Sequence, residues 1–216
     1  MPVYNESTRV GGVLAAVIGH PLIGEVIVVD DASTDDTAAV AGTYQGVRLI
    51  SLSQNRGKTA ALDVGIQASA GSFLLLIDGD LIGLTPAHIT DLIVPVAEGH
   101  ADISISLREN APRLWRWIGL DYISGERVFS RDILQGQFKT LPKFGFEVYL
   151  NSLCIKEKKR IAVVKWSGVQ SPFKSKKYGL FKGVVADVRM IHDITSTVSP
   201  FGLLCQIISM LRLRVK

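Results

Sequence analysis

Three clusters of polar side chains are candidates for acting together: Asp30-Asp31, the turn at 55–58 ending in Lys58, and Asp78-Gly79-Asp80. Each follows an apolar run, and in open α/β sheets the ligand sits beyond the carboxyl ends of the strands. The Asp-x-Asp spacing lets one carboxylate reach a ribose hydroxyl or a bridging water while the other binds a hard cation, magnesium or manganese. Gly79 between them lets the backbone approach closely. Such a cation would neutralise a leaving diphosphate. A lone Asp-x-Asp is also a common pair of turn or cap acids after a buried strand, so the motif gains meaning only from its neighbours.

Placing three such clusters together requires strands that end on one side. Residues 24–30 (GEVIVVD) form an apolar, β-branched run ending in acids, followed by a polar loop and a capped, Ala-rich helix. Residues 47–52 read as a second short strand, Asn55-Arg56-Gly57 as a turn, 58–70 as an Ala-rich helix closed by Gly71, and 72–77 (SFLLLI) as a continuously apolar strand. Apolar strands separated by helices are what a parallel sheet covered on both faces requires, so the expected fold is α/β, doubly wound and mostly parallel. Further along, Thr85-Pro86 opens a helix with Ile89, Leu92, Ile93, Val96 and Ala97 on one face. Residues 102–107 alternate as a strand. Phe146, Leu150, Leu153 and Cys154 stripe a helix, 161–166 form a strand, and two more helical stretches follow, one striped by Phe181, Val184, Val188 and Ile191, the other at 201–216.

A chain of 216 residues, 47% hydrophobic, can bury one sizeable core, and no repeat or linker marks a second domain. Cys154 and Cys205 stand alone, without a CxxC or Cys/His cluster, and are expected as buried thiols. The net charge of +4 hides an asymmetry: residues 1–100 hold 4 basic and 11 acidic side chains (−7), residues 101–216 hold 20 and 9 (+11). A basic second half points to an anionic partner, whether phosphorylated substrate, acidic membrane surface or nucleic acid. No run is long enough to span a membrane and no signal-peptide pattern opens the chain, so the expected location is cytosolic.

Competing motifs fail on inspection. Gly57-Lys58-Thr59 resembles the tail of a phosphate loop, but the Gly that motif needs at position 52 is Leu52. GxGxxG and GxSxG are absent, and His20, His88, His100 and His192 are scattered. The order of the clusters, by contrast, resembles the family-two glycosyltransferases of the GT-A fold. The matching pieces are Pro2-Val3-Tyr4-Asn5-Glu6, residues 28–37 around Asp30-Asp31, residues 55–65 from Asn55-Arg56-Gly57-Lys58, and Leu76-Ile77-Asp78-Gly79-Asp80. The resemblance implies a sugar-nucleotide donor whose base and ribose are held by Pro2, Tyr4, Glu6, Asp30 and Asp31, with Lys58 near the nucleotide. It gives Asp78 and Asp80 to ribose and divalent metal. It implies a donor half at 1–100, an acceptor half at 101–200, and no role for nucleic acid. Family members enter the Pro-x-Tyr-Asn-Glu motif from a complete apolar strand, whereas here Met1 directly precedes it, so the first strand is largely missing and the sheet should be weaker there.

In the second half, Ser124-Gly125-Glu126-Arg127 and the following residues to Asp132 look like the Gly-x-x-Arg segment of polyprenyl-phosphate sugar transferases, the dolichol-phosphate mannose synthase group. That implies phosphate contacts for Arg127 and Arg131. The other reading is a solvated strand and helix start with surface arginines. Gly145-Phe146-Glu147 is similar to the Gly-x-Glu of the acceptor side, where the acid deprotonates a hydroxyl or positions a phosphate; the alternative is a helix N-terminal Glu favoured by the dipole. The loop Gly168-Val169-Gln170-Ser171-Pro172 lacks the metal-binding His that several relatives carry there.

Together these features lead to the expectation of inverting hexose transfer to a polyprenyl-phosphate or other membrane-linked acceptor, or to a soluble or growing glycan, with Asp80, Glu147 and Arg127 as the catalytic set. A nucleotidyltransferase or an inactive sugar-nucleotide-binding module are the rivals; the first lacks a Gly-rich phosphate loop, and retention of Asp78 and Asp80 speaks against the second. The stretch 201–216 is apolar over most of its circumference with Arg212, Arg214 and Lys216 at its end, and is expected to lie on a cytosolic membrane face or against a second subunit in a homo-oligomer; the alternative is a C-terminal helix packed into the protein's own core.

Overall fold

The computed structural model describes residues 1–134, 145–172 and 199–215. Helix and strand alternate through the first hundred residues: β1 (Pro2–Val3), α1 (Val10–Val17), β2 (Val26–Asp30), α2 (Thr37–Gly42), β3 (Val47–Ser51), α3 (Lys58–Ala68), β4 (Phe73–Leu76) and α4 (Pro86–Ala97). Then come β5 (Ile103–Arg108), α5 (Arg113–Ile118), β6 (Arg127–Ser130), a 3-10 turn (Arg131–Leu134), α6 (Phe146–Lys156), β7 (Ile161–Trp166) and α7 (Pro200–Arg212). The helical stripe expected from Phe181 to Ile191 lies outside the described residues.

The strands form two sheets. One has the order β1-β2-β3, all parallel; the other has the order β4-β6-β5-β7, with β5 and β7 parallel and β6 running antiparallel to both neighbours. The parallel reading therefore holds for β1, β2 and β3, while β4 joins the later strands in a mixed sheet. β1 has two residues, and no ladder joins it to β4 among the described residues.

Helix α1 was not legible, because Gly11 and Gly12 interrupt its pattern, yet Val10, Val13, Leu14 and Val17 fall on one face and are buried. Helix α4 begins as expected at Thr85-Pro86, closed by a reciprocal cap in which His88, not Glu or Gln, takes the third position. The largest cluster of buried apolar residues gathers β4, β5, β6 and α6 around Ile103, Phe129 and Leu150, with α7 packed on it through Met210. A second gathers α1, α4 and β2 around Leu14, Val28 and Leu92.

Candidate active site

The carboxyl ends of β1 and β2 and the loop after β4 converge. Val3 accepts the Asp31 N–H at 2.9 Å, and a Cβ at Gly79 would lie 2.5 Å from Val3 Cγ1, so only glycine lets the Asp-x-Asp loop lie this close to β1. Asn5 and Ala32 hold left-handed backbone at φ 55° and 59°. Asn5 donates its N–H to Ser33 Oγ at 2.9 Å and accepts the Thr34 N–H at 2.8 Å. Asp30 accepts from Ser33, and Asp31 accepts the N–H groups of Arg56 and Gly57, both at 2.8 Å. The two buried acids thus brace the loops that surround the site. Tyr4 is partly exposed beside them, and Pro2 pairs with Val29. Glu6 is buried beside them: its carboxylate lies 2.6 Å from Arg9 and its backbone C=O takes the N–H groups of Arg9 and Val10, which starts α1.

Lys58 begins α3 and lies between two acids brought from distant parts of the chain. Its Nζ is 2.7 Å from Asp78 Oδ1 and 2.9 Å from Glu147 Oε1, at the first turn of α6. Burial disfavours the charge on Lys58, but Asp78 and Glu147 outweigh it and hold its affinity for the proton above the ordinary value. Burial likewise works to raise Asp78, and Lys58 overrides it, so Asp78 stays below the usual carboxylate range. Asp80 has the opposite fate: burial, then the neighbouring Asp78 charge, push it up to about 6. Its Oδ1 lies 3.3 Å from Ser171 Oγ, in the loop where relatives place a His. A carboxylate whose ionisation is opposed by burial and by a like charge suits a divalent cation, and an oxygen pair completed by substrate phosphates suits magnesium or manganese. Asp80 and Asp78 would hold it. Among the described residues no group of three His, Cys, Asp or Glu side chains could do so alone.

Gly125 forms the floor. A Cβ there would sit 2.5 Å from Asp78 Oδ2 and 2.6 Å from Lys58 Nζ. The glycine of the Gly-x-x-Arg segment therefore belongs to the site, whereas its arginine does not reach the surface. Arg127 is fully buried on β6, with its nitrogens donating to Ser124 O at 2.8 Å, Asn151 Oδ1 at 2.5 Å and Tyr122 O at 2.9 Å. The expected phosphate contact for Arg127 is corrected accordingly, because its guanidinium is fully buried and bonded to the loop before β6 and to Asn151 of α6. Arg131 lies at the opposite end of the same strand and bonds Gly71 O, Ile66 O and Ser69 O at 2.8–2.9 Å, satisfying carbonyls at and beyond the end of α3. Its phosphate role is corrected because its guanidinium is bonded to these carbonyls, and the surface reading fails as well for β6, whose Arg127, Val128 and Phe129 are all buried.

The sequence reading missed Arg108, at the end of β5. Its guanidinium lies 3.4 Å from Glu126 Oε1 and 3.5 Å from Asp121 Oδ2, both carboxylates fully buried, and Ser106 Oγ completes the group at 2.7 Å from Glu126 Oε2. Burial disfavours its charge, but Glu126, Asp121, Asp78 and Asp80 together hold it protonated. The available signal was the alternation of β5, which sends Ser104, Ser106 and Arg108 to one face.

A family model described as Glycosyl transferase family 2 matches residues 1–158. The dodecaprenyl-phosphate galacturonate synthase of Rhizobium johnstonii is 34% identical over 119 residues, covering 51% of this chain and 35% of that protein. The dolichyl-phosphate beta-glucosyltransferase of Dictyostelium discoideum is 27% identical over 175 residues, covering 72% and 48%. The chain thus spans between about a third and a half of the length of these relatives. In three dimensions it is similar to glucosyl-3-phosphoglycerate synthase from Mycobacterium tuberculosis in complex with Mn2+, uridine-diphosphate-glucose and glycerol 3-phosphate, with TM-score 0.72, 24% identity, and coverage of 91% of this chain and 77% of that one. That likeness fixes the fold as the GT-A type.

Proposed function

We propose, because the chain belongs to glycosyl transferase family 2, that it moves a hexose from a nucleotide-diphosphate sugar to a phosphate-bearing lipid acceptor with inversion at the anomeric carbon. The observation that carries the reading is the convergence of Asp78, Lys58 and Glu147 within 2.9 Å contacts beside Asp80. An acceptor oxygen forms its bond to the anomeric carbon from the face opposite the diphosphate, and the nucleoside diphosphate departs with the electron pair of the broken C–O bond. A divalent cation held by Asp80 and Asp78 would supply charge neutralisation to that leaving group. Lys58, at the start of α3, is placed to add a second positive charge there. A phosphate acceptor is already anionic near pH 7, so it needs no general base; Glu147 then positions Lys58 rather than taking a proton.

The acceptor side supports a membrane surface. Helix α7 packs Leu203, Ile207, Met210 and Leu211 against the core, while Phe201, Leu204 and Ile208 are exposed ahead of Arg212 and Arg214. Helix α5 exposes Trp117 and Leu114 among Arg113 and Arg116. Apolar side chains beside arginines suit the interface of an anionic bilayer on the cytosolic face. No helix among the described residues is long and apolar enough to cross a membrane.

Release of nucleoside diphosphate from a panel of sugar nucleotides, with manganese or magnesium and either a short polyprenyl phosphate or 3-phosphoglycerate, tests the reaction. Turnover stimulated by the polyprenyl phosphate is expected; stimulation by the soluble phosphate alone would reassign the acceptor, and no metal-dependent release with any donor would remove the enzyme reading. Co-sedimentation with anionic and neutral vesicles, alongside sedimentation velocity, separates lipid binding from self-association through α7.

A further inference from the structure

The loop after β7 lies across the loop that carries Asp80, and the two are fastened at several points. Ile82 and Gln170 exchange main-chain hydrogen bonds, N–H to O, at 2.8 Å and 3.0 Å. A Cβ at Gly83 would stand 2.3 Å from Gly168 O, so only glycine lets the two loops come this close. The turn after β5 supplies the other side. Glu109 accepts the Gly168 N–H at 2.8 Å, and Asn110 bonds both main-chain groups of Ser171. Its Nδ2 donates to Ser171 O at 2.6 Å, and its Oδ1 accepts the Ser171 N–H at 3.2 Å. One side-chain amide thus plays the part of a neighbouring strand for a single residue.

What Asn110 fixes in place is one hydroxyl. Val169 is fully buried and Gln170 is paired with Ile82, so the loop is anchored before Asn110 acts, and what Asn110 adds is the placement of Ser171. Ser171 Oγ lies 3.3 Å from Asp80 Oδ1, longer than the roughly 2.5–3.0 Å of an ordinary O–H···O hydrogen bond. Oxygens that are neighbours around an octahedral cation, each about 2.1 Å from it, stand about 3 Å apart, so one ion can bridge this pair after a small adjustment. A hydroxyl oxygen is hard and uncharged. Together with two carboxylates and the phosphate oxygens of a donor it makes a set that suits magnesium and manganese and gives softer ions such as cadmium no advantage.

We propose that Asn110 is a positioning residue of the cation site, which by fixing Ser171 sets a hydroxyl oxygen against the ion beside Asp80 and confines the site to hard divalent cations. Asn110 acts through Ser171 alone. The role rests on Asp80 holding the metal, as in the function proposed above, and adds what decides the choice of metal.

Binding of manganese to the whole chain, with uridine or guanosine diphosphate present, is followed by paramagnetic resonance, and magnesium and cadmium are titrated as competitors. Ser171→Ala and Asn110→Ala are each expected to weaken manganese binding about tenfold, and the double variant to lose no more than either alone, since the two act as one unit. Ser171→Thr keeps a hydroxyl and should bind as the native chain does. Ser171→Cys exchanges hard oxygen for soft sulfur. It should raise the preference for cadmium over magnesium about a hundredfold above that of the native chain, which already contains Cys154 and Cys205. Native affinity in folded Ala variants, additive losses in the double variant, or a Cys variant with no gain for cadmium would each overturn the proposal. Thermal melts identify a variant that fails to fold, and Ser171→Ala, which removes one oxygen, decides the matter if Asn110→Ala is such a variant. A native chain that binds no manganese would remove the metal reading and this role with it, a result distinct from native binding that the variants leave untouched.

Discussion

The loops after β1 and β2 and the region around β5 and β6 both depend on charged residues withdrawn from solvent, but they satisfy them differently. On the donor side Asp30 and Asp31 are neutralised by N–H and hydroxyl groups at the ends of neighbouring strands and helices, contacts that stay within about one βαβ unit. Around β5 and β6, buried Arg127 and half-buried Arg108 lie among groups from several elements, so their guanidinium groups are held by tertiary packing. The first arrangement is a rim that can face a ligand; the second is a scaffold that cannot lose a member without leaving buried polar or charged groups unpaired.

Breaking the scaffold should give the largest effect. Arg127→Ala strips the partners from Ser124 O, Tyr122 O and Asn151, and is expected to destabilise the fold by about 3–5 kcal/mol in urea titrations, with Lys unable to restore the three-way contact. If the variant instead keeps its stability and loses only turnover, the arginine acts on substrate after all. Next in size, Asp80→Asn should leave the melting temperature nearly unchanged or slightly raised, while metal-dependent binding of a nucleoside diphosphate by calorimetry falls about a hundredfold. Equal affinity with and without metal in both proteins would deny Asp80 that role.

A sharper comparison uses glycine. Gly125→Ala puts a methyl group against Asp78 and Lys58, and the flexible lysine end can yield; donor affinity is expected to drop about tenfold with little loss of stability. Gly12→Ala in α1 meets nothing within 4 Å and should instead stabilise slightly.

The same contrast explains what could be read in the sequence. Strands β2, β3 and β4 and the acids after them were legible because apolar runs and polar ends are local patterns. Lys58 and Glu147 could be marked as candidates, yet their meeting could not be foreseen, since 89 positions separate them and nothing local encodes the contact. Arg127 and Arg131 misled because a Gly-x-x-Arg string looks the same whether the guanidinium faces a cleft or a carbonyl cage. Strand β6 entered the sheet antiparallel for a comparable reason: four residues carry no mark of direction. Arg108 was missed because a cation at a strand end looks like surface until its buried acids are known.

Ala32 keeps left-handed backbone at φ 59° just after the paired aspartates, a conformation that costs an L-residue about 1–2 kcal/mol. Glycine would remove that strain, but it would also widen the range of shapes open to the unfolded chain, so the two changes nearly cancel in overall stability. The native loop then differs from its glycine counterpart chiefly in entropy held in advance. A nucleotide meeting the alanine loop finds it already restricted and has less ordering to impose on arrival.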